Sequence, residues 1–158
     1  MGILEIILAT CGGKVYPETM KRVVLHTDGA CVPNPGKGGW AVLFQGENNY
    51  LELAGTVEDT TNNRMEVQAA IEGLDALDGH WHVTIKTDSM YLIYALRRML
   101  KQGKGRKNKT NKDLIEKLWE LCGRHRVNWE YVRGHNGDPW NERADYLAER
   151  QASKEISK

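Results

Sequence analysis

Four acids offer the first chemistry in this sequence: Asp28, Glu66, Asp88 and Asp145. Two of them close similar segments. VVLHTDGA, residues 23–30, runs through apolar residues to Thr-Asp, and HVTIKTDS, residues 82–89, does the same. Taken singly, each acid has an ordinary structural use. Asp28 before a glycine suits a turn, and Asp88 before Ser89 suits a helix N-cap. Glu66, three residues after Asn63, resembles the far half of a capping box. Asp145 suits a solvated helix face. Taken together they read differently. Glu66 shares a helical stripe with Ala70, Gly73 and Leu77. Asp145 follows Asn141 by four residues and precedes Ala148 by three, on the flank of a stripe facing the sheet. Acids gathered on buried faces raise one another's pKa and need a counter-ion. Oxygen ligands alone select a hard cation such as Mg²⁺ or Mn²⁺.

The elements that must position these acids follow from periodicity and turn signals. Residues 23–28 read as a buried strand, 40–45 and 50–57 as two more, with Gly46-Glu-Asn-Asn as the hairpin turn between them. The three form an antiparallel meander. VPNPGKGG, residues 32–39, reads as a loop dense in turn formers. Val67, Ala70, Ile71, Leu74 and Leu77 mark a helix, and residues 83–87 a fourth strand. Strand, helix and strand in that order imply a crossover and parallel pairing with the first strand. A helix over 90–100, a basic loop over 102–111, a helix through Leu114, Leu118 and Leu121, and a fifth strand over 127–132 follow. Asp138 then caps a last helix that has Pro139 at its first position. The expected fold is α/β: a mixed five-stranded sheet with helices on both faces. Parallel neighbours would bring Asp28 and Asp88 to the same end of that sheet, where open α/β sheets hold their sites.

Composition sets the remaining bounds. The 158 residues suit one domain, and 41% hydrophobic residues allow a real core. Net charge is only +1, yet it is uneven: between Ser89 and Lys112 there is no acid and there are eight bases. Such a block repels itself unless solvent or an anion screens it. Three widely spaced cysteines form neither a zinc motif nor a disulfide framework, which fits a reducing, cytoplasmic setting. The apolar run Ile3–Ala9 lacks a basic flank and is too short to span a membrane. CGGK lacks the glycine spacing of a phosphate loop. Residues 1–19 read as an N-terminal extension, either an extra strand or a disordered tail. The domain proper covers 20–150, and 151–158 form a C-terminal tail.

Four motifs in order, TDGAC with NPGKGGW, TTNNRMEVQAAIEGL, TDSMY, and VRGHNGDPWNERADYLA, resemble type 1 ribonuclease H. The resemblance spans residues 23–149. It implies the ribonuclease H-like fold and hydrolysis of the RNA strand of an RNA–DNA hybrid, leaving 5′-phosphate and 3′-hydroxyl ends. It also implies two Mg²⁺ ions, with Mn²⁺ as an alternative, held by Asp28, Glu66, Asp88 and Asp145, and Asp28 as the bridging ligand. His135 matches the family's loop histidine. Histidine suits proton transfer near neutral pH, so it would assist without being indispensable.

The same resemblance assigns the substrate contacts. Asn34, Asn62 and Asn63 match minor-groove residues, and backbone at Gly29, Ala30 and Cys31 matches the part that meets 2′-hydroxyls. Thr61 and Asn111 match a pocket for a DNA phosphate. The basic loop, Lys104, Arg106, Lys107 and Lys109, would attract phosphate with salt-dependent affinity. Two positions depart from the pattern: Asp59 replaces a phosphate-pocket arginine, and Met90 replaces a glutamine. A monomer with no obligate protein partner and no membrane association is expected. The competing functions are a DNA-cutting, transposase-like relative and a non-catalytic hybrid-binding module.

Overall fold

The structure is a computed structural model and describes residues 5–7, 20–102 and 110–154. Its strands are β1 (Glu5–Ile7), β2 (Lys21–Cys31), β3 (Gly36–Gln45), β4 (Tyr50–Thr60), β5 (Trp81–Thr87) and β6 (Arg126–Tyr131). Its helices are α1 (Asn62–Asp75), α2 (Met90–Gln102), α3 (Lys112–Cys122) and α4 (Pro139–Ser153). The sheet order is β1-β6-β5-β2-β3-β4. The expected five strands are present, with the meander β2-β3-β4 antiparallel and β2, β5 and β6 parallel. A sixth strand is added at the edge: β1 pairs antiparallel with β6, Ile6 opposite Trp129. The rest of the N-terminal extension and the loop holding Lys104, Arg106, Lys107 and Lys109 lie outside the described residues.

Pattern explains the layers. In β5, Val83, Ile85 and Thr87 are buried while the residues between them are half-buried, the alternation of a strand with one covered face. Central β2 is buried almost without interruption from Leu25 to Cys31, because helices cover both sides of it. On one side, α1, α2 and α3 close the main core around Leu25, Ile71, Leu74, Ile85, Leu92, Leu96, Leu118 and Trp129. On the other, α4 packs through Ala148 and Ala152 onto Ala30 and Ala41; small side chains on both surfaces bring helix and sheet close. Helix α4 starts as expected. Asp138 accepts from the backbone N–H groups of Trp140 and Asn141, and Pro139 occupies the first turn.

Two expectations change. First, β2 does not stop at Asp28. It continues to Cys31 because β3 begins at Gly36, inside the supposed loop, and pairs Asp28 with Ala41, Gly29 with Trp40, Ala30 with Gly39 and Cys31 with Gly38. Asp28 is therefore a mid-strand residue and not a turn residue. Second, Asn63 does not cap α1. Thr61 is the N-cap, and its hydroxyl accepts from the Arg64 N–H at 3.2 Å. Moving the helix start two residues back frees Glu66 from any capping role and turns it inward.

Candidate metal centre

The parallel register of β2 and β5 builds the centre. Their last paired residues are Thr27 and Thr87, so Asp28 and Asp88 follow on adjacent strands at one end of the sheet. Past Thr87 the chain turns into α2, whereas β2 runs on beside β3 alone. Asp28 thus sits where the sheet loses one neighbour and opens toward the helix ends.

Glu66 arrives from the first turns of α1. The close approach of α1 depends on Gly29: a Cβ there would lie 2.4 Å from both the Met65 carbonyl carbon and the Glu66 nitrogen. Any larger residue would push the helix, and Glu66 with it, off the strand. The Gly29 N–H also serves Glu66 as a hydrogen-bond donor. The sequence assigned Gly29 to close approach of a ribose; its first steric duty is close approach of α1.

Carboxylate oxygens of Asp28, Glu66 and Asp88 lie within 4.8 Å of one another. Asp28 also donates a hydrogen bond to Asp145, from α4. Four elements thus deliver the four acids to one place. Burial first, then the charges of Glu66 and Asp88, raise the Asp28 carboxyl to about 11. Burial, then the charge of Asp88, raises Glu66 to about 8. Without cations Asp28 therefore keeps its proton at neutral pH and donates it to Glu66 in the hydrogen bond between them. The Glu66 Oε2 atom is buried with no hydrogen-bond partner. An orphaned buried oxygen, converging carboxyl groups and the raised pKa values of Asp28 and Glu66 fit a divalent cation bound through oxygen.

Two neighbours shape the acids from behind. Asn141, buried in the first turn of α4, donates from Nδ2 to Asp88 Oδ2 at 3.3 Å. A Cβ on Gly134 would lie 2.9 Å from the same Asp88 oxygen, so the loop between β6 and α4 lies directly against Asp88. His135 is the next residue, exposed, with φ +55. In the sequence Asn141 marks only helix spacing. An uncharged polar residue on the buried stripe of α4, one turn before Asp145, was the signal for its role.

The residues matched to substrate contacts lie around this centre. The Asn62 N–H donates to Asn34 Oδ1 at 3.2 Å, joining the β2–β3 turn to the start of α1, and Asn63 is exposed beside them. Ala30 and Cys31 are buried, the Cys31 thiol donating to the Pro33 carbonyl at 3.2 Å. Thr61 and Asn111 come together through Arg64: its backbone meets Thr61, and its guanidinium donates to Asn111 Oδ1 at 3.3 Å. Asp59 is exposed and Met90 is 36% exposed, so both departures from the pattern face solvent.

Comparison with known proteins gives the family and the fold. The family model described as RNase H matches residues 20–153. A ribonuclease H from Pseudomonas paraeruginosa is 47% identical over 137 residues, covering 82% of this chain and 93% of that protein. Among solved structures, LC9-RNase H1, a type 1 RNase H with the type 2 active-site motif, is 26% identical. It superimposes with a TM-score of 0.75, over 88% of this chain and 74% of its own. LC11-RNase H1, solved in complex with RNA/DNA hybrid, shares the fold. It has a TM-score of 0.62 at 23% identity, covering 81% of this chain and 94% of its own.

Proposed function

This chain belongs to the RNase H family, and from that membership we propose that it is an endonuclease that hydrolyses the RNA strand of RNA–DNA hybrids. The products are a 5′-phosphate and a 3′-hydroxyl. The observation that carries the reading is the convergence of Asp28, Glu66 and Asp88 within 4.8 Å, with Asp145 bonded to Asp28.

Two divalent cations, Mg²⁺ with Mn²⁺ as the alternative, would supply water activation and charge neutralisation at the scissile phosphate. The protein's own groups do the rest. Asp28, central among the four acids, is the proposed shared ligand, and Glu66, Asp88 and Asp145 complete the set. Asn141 holds Asp88 in one orientation, and the Gly29 N–H does the same for Glu66. Fixed carboxylates cost no reorganisation when the phosphate arrives. His135, exposed on the loop that touches Asp88, is the proposed aid to proton transfer or product departure.

Substrate recognition in this proposal reads shape and sugar, not sequence. Asn34, Asn62 and Asn63 face the minor groove, with backbone at Gly29, Ala30 and Cys31 toward the ribose side. Thr61 and Asn111 take a phosphate of the DNA strand, and Lys104, Arg106, Lys107 and Lys109 add salt-sensitive attraction. The catalytic domain of this proposal starts at 20, with 1–19 as an extension, and runs past the expected boundary at 150 to the end of α4 at Ser153, because Ala152 packs onto Ala30 and Ala41. It works as a cytoplasmic monomer. Among the described residues no helix is long and apolar enough to cross a membrane, and Cys31 and Cys122 are buried and not in a disulfide, as a reducing compartment allows.

The test is a cleavage assay with end-labelled RNA–DNA hybrid, RNA duplex and DNA duplex in Mg²⁺. The expected result is cutting of the RNA strand of the hybrid alone. Cutting of DNA duplex would favour a transposase-like nuclease, and binding without cutting would favour a hybrid-binding module.

A further inference from the structure

Asn111 stands in the left-handed region, φ 56 and ψ 24, at the N-cap of α3, yet its side chain caps nothing. Asparagine at that position ordinarily bonds the first free N–H groups of its own helix. Here the amide is turned sideways and held at both ends. Its Oδ1 accepts from Arg64 Nη1 at 3.3 Å, and its Nδ2 donates to Tyr91 Oη at 2.8 Å. Arg64 is itself fixed by a two-pronged bond to Asp113, 3.0 and 2.8 Å, in the first turn of α3. The first turns of α1, α2 and α3 therefore meet at one amide.

The chemistry of the partners decides which way that amide faces. Arginine carries only donors. It must take the oxygen, so the NH₂ group lies on the Tyr91 side. One of the two N–H bonds is spent on Tyr91. The second has no acceptor among the described residues, and at the backbone end of the same Arg64 the Thr61 hydroxyl accepts from the Arg64 N–H and keeps its own proton to donate. The pocket thus presents donors, and a flipped amide would present a carbonyl oxygen to the same ligand.

We propose that Arg64 and Tyr91 are positioning residues that lock the Asn111 amide so that an N–H, and not its oxygen, meets the DNA-strand phosphate. The inference rests on the reading of Thr61 and Asn111 as the phosphate pocket and adds the device that makes the pocket anion-selective. The device is independent of the position occupied by Asp59. A locked donor spares the binding step the entropy of orienting an amide.

The test is steady-state cleavage of hybrid by Tyr91→Phe, Arg64→Ala and Asn111→Gly, singly and in pairs. Glycine is chosen because it accepts φ 56 without strain, and Tyr91→Phe removes one oxygen while keeping the ring. Losing one oriented hydrogen bond to a charged group predicts a KM raised about fivefold or more in each single variant, with kcat within about twofold. In the Asn111→Gly background, Tyr91→Phe and Arg64→Ala should raise KM no further. If Asn111→Gly leaves KM unchanged, the phosphate-pocket reading fails and takes the inference with it. If Asn111→Gly raises KM but the other two do not, the pocket stands and the lock is refuted. Additive effects of Arg64→Ala and Asn111→Gly would show Arg64 acting on substrate directly, which also refutes it. Melting curves of the Tyr91→Phe protein separate these outcomes from unfolding.

Discussion

Asn141 Nδ2 donates to Asp88 Oδ2 at 3.3 Å, tying the first turn of α4 to the end of β5. Asn141 is buried and Asp88 is half-buried, so the bond holds that carboxylate from the protein side. Groups that orient metal ligands in this way commonly change affinity or activity about 10- to 100-fold when removed. Asn141→Ala should therefore lower cleavage by about that factor and raise the Mg²⁺ concentration needed for half-maximal rate. An Mg²⁺ titration of the cleavage rate checks both. An unchanged half-maximal concentration would mean that Asp88 does not depend on Asn141.

Stability in metal-free solution should fall as pH rises. Asp28 and Glu66 have folded-state values raised to about 11 and about 8, against roughly 4 for free carboxyls. A raised value means that the folded state holds protons the unfolded chain gives up. The associated stability is complete below about pH 4 and is lost as pH rises through the folded values. Thermal melts in chelator at pH 5, 7 and 9 should show a declining midpoint, with Mg²⁺ restoring it most at pH 9. Asp28→Asn should flatten the pH dependence, raise the midpoint at pH 9 and abolish cleavage. A chelated protein whose midpoint does not vary with pH would contradict the retained proton.

Gly29→Ala tests the contact that seats Glu66. The new Cβ would meet α1 backbone at 2.4 Å, and backbone cannot swing aside as a side-chain tip can. Overpacking of this kind costs about 1–3 kcal/mol. The expected outcome is a lower denaturation midpoint together with loss of cleavage that added Mg²⁺ does not rescue. Full activity in a destabilised variant would separate the packing role of Gly29 from the placement of Glu66.

His135→Ala should slow cleavage without ending it. The residue is exposed, and the hydrogen bonds described for the four acids do not involve it. Loss of a proton carrier costs about a hundredfold or more when it acts in the limiting step. Single-turnover rates with Mg²⁺ saturating are the better measurement: the variant should be slow in the cleavage step itself. An unchanged single-turnover rate would remove His135 from the proton path.

Legibility differed between parts of the molecule. The parallel pairing of β2 with β5 followed from strand, helix and strand, and the Asp138 cap from Asp-Pro before an apolar stripe. The true length of β2 did not. Gly29 and the Pro- and Gly-rich stretch after it look like turn chemistry, and only pairing with β3 turns Gly29–Cys31 and Gly36–Gly39 into strand. Thr61 and Asn63 are both good capping types, so propensity could not choose between them; the inward pull on Met65 and Glu66 did. The contacts of Asn141, Arg64 and Tyr91 join residues far apart in sequence, and no local pattern encodes such partners.

The four acids come from β2, α1, the end of β5 and α4, in that order along the chain. No short fragment contains the set. A ribosome-bound chain that has not yet docked its last helix lacks Asp145 and the support that Asn141 gives Asp88. In the proposed site, cation affinity would then arrive only with the completed fold, as for any ligand that binds the native state alone. The segment that covers the last face of the sheet would also supply the last carboxylate, so a chain without α4 should neither bind the cations tightly nor cut.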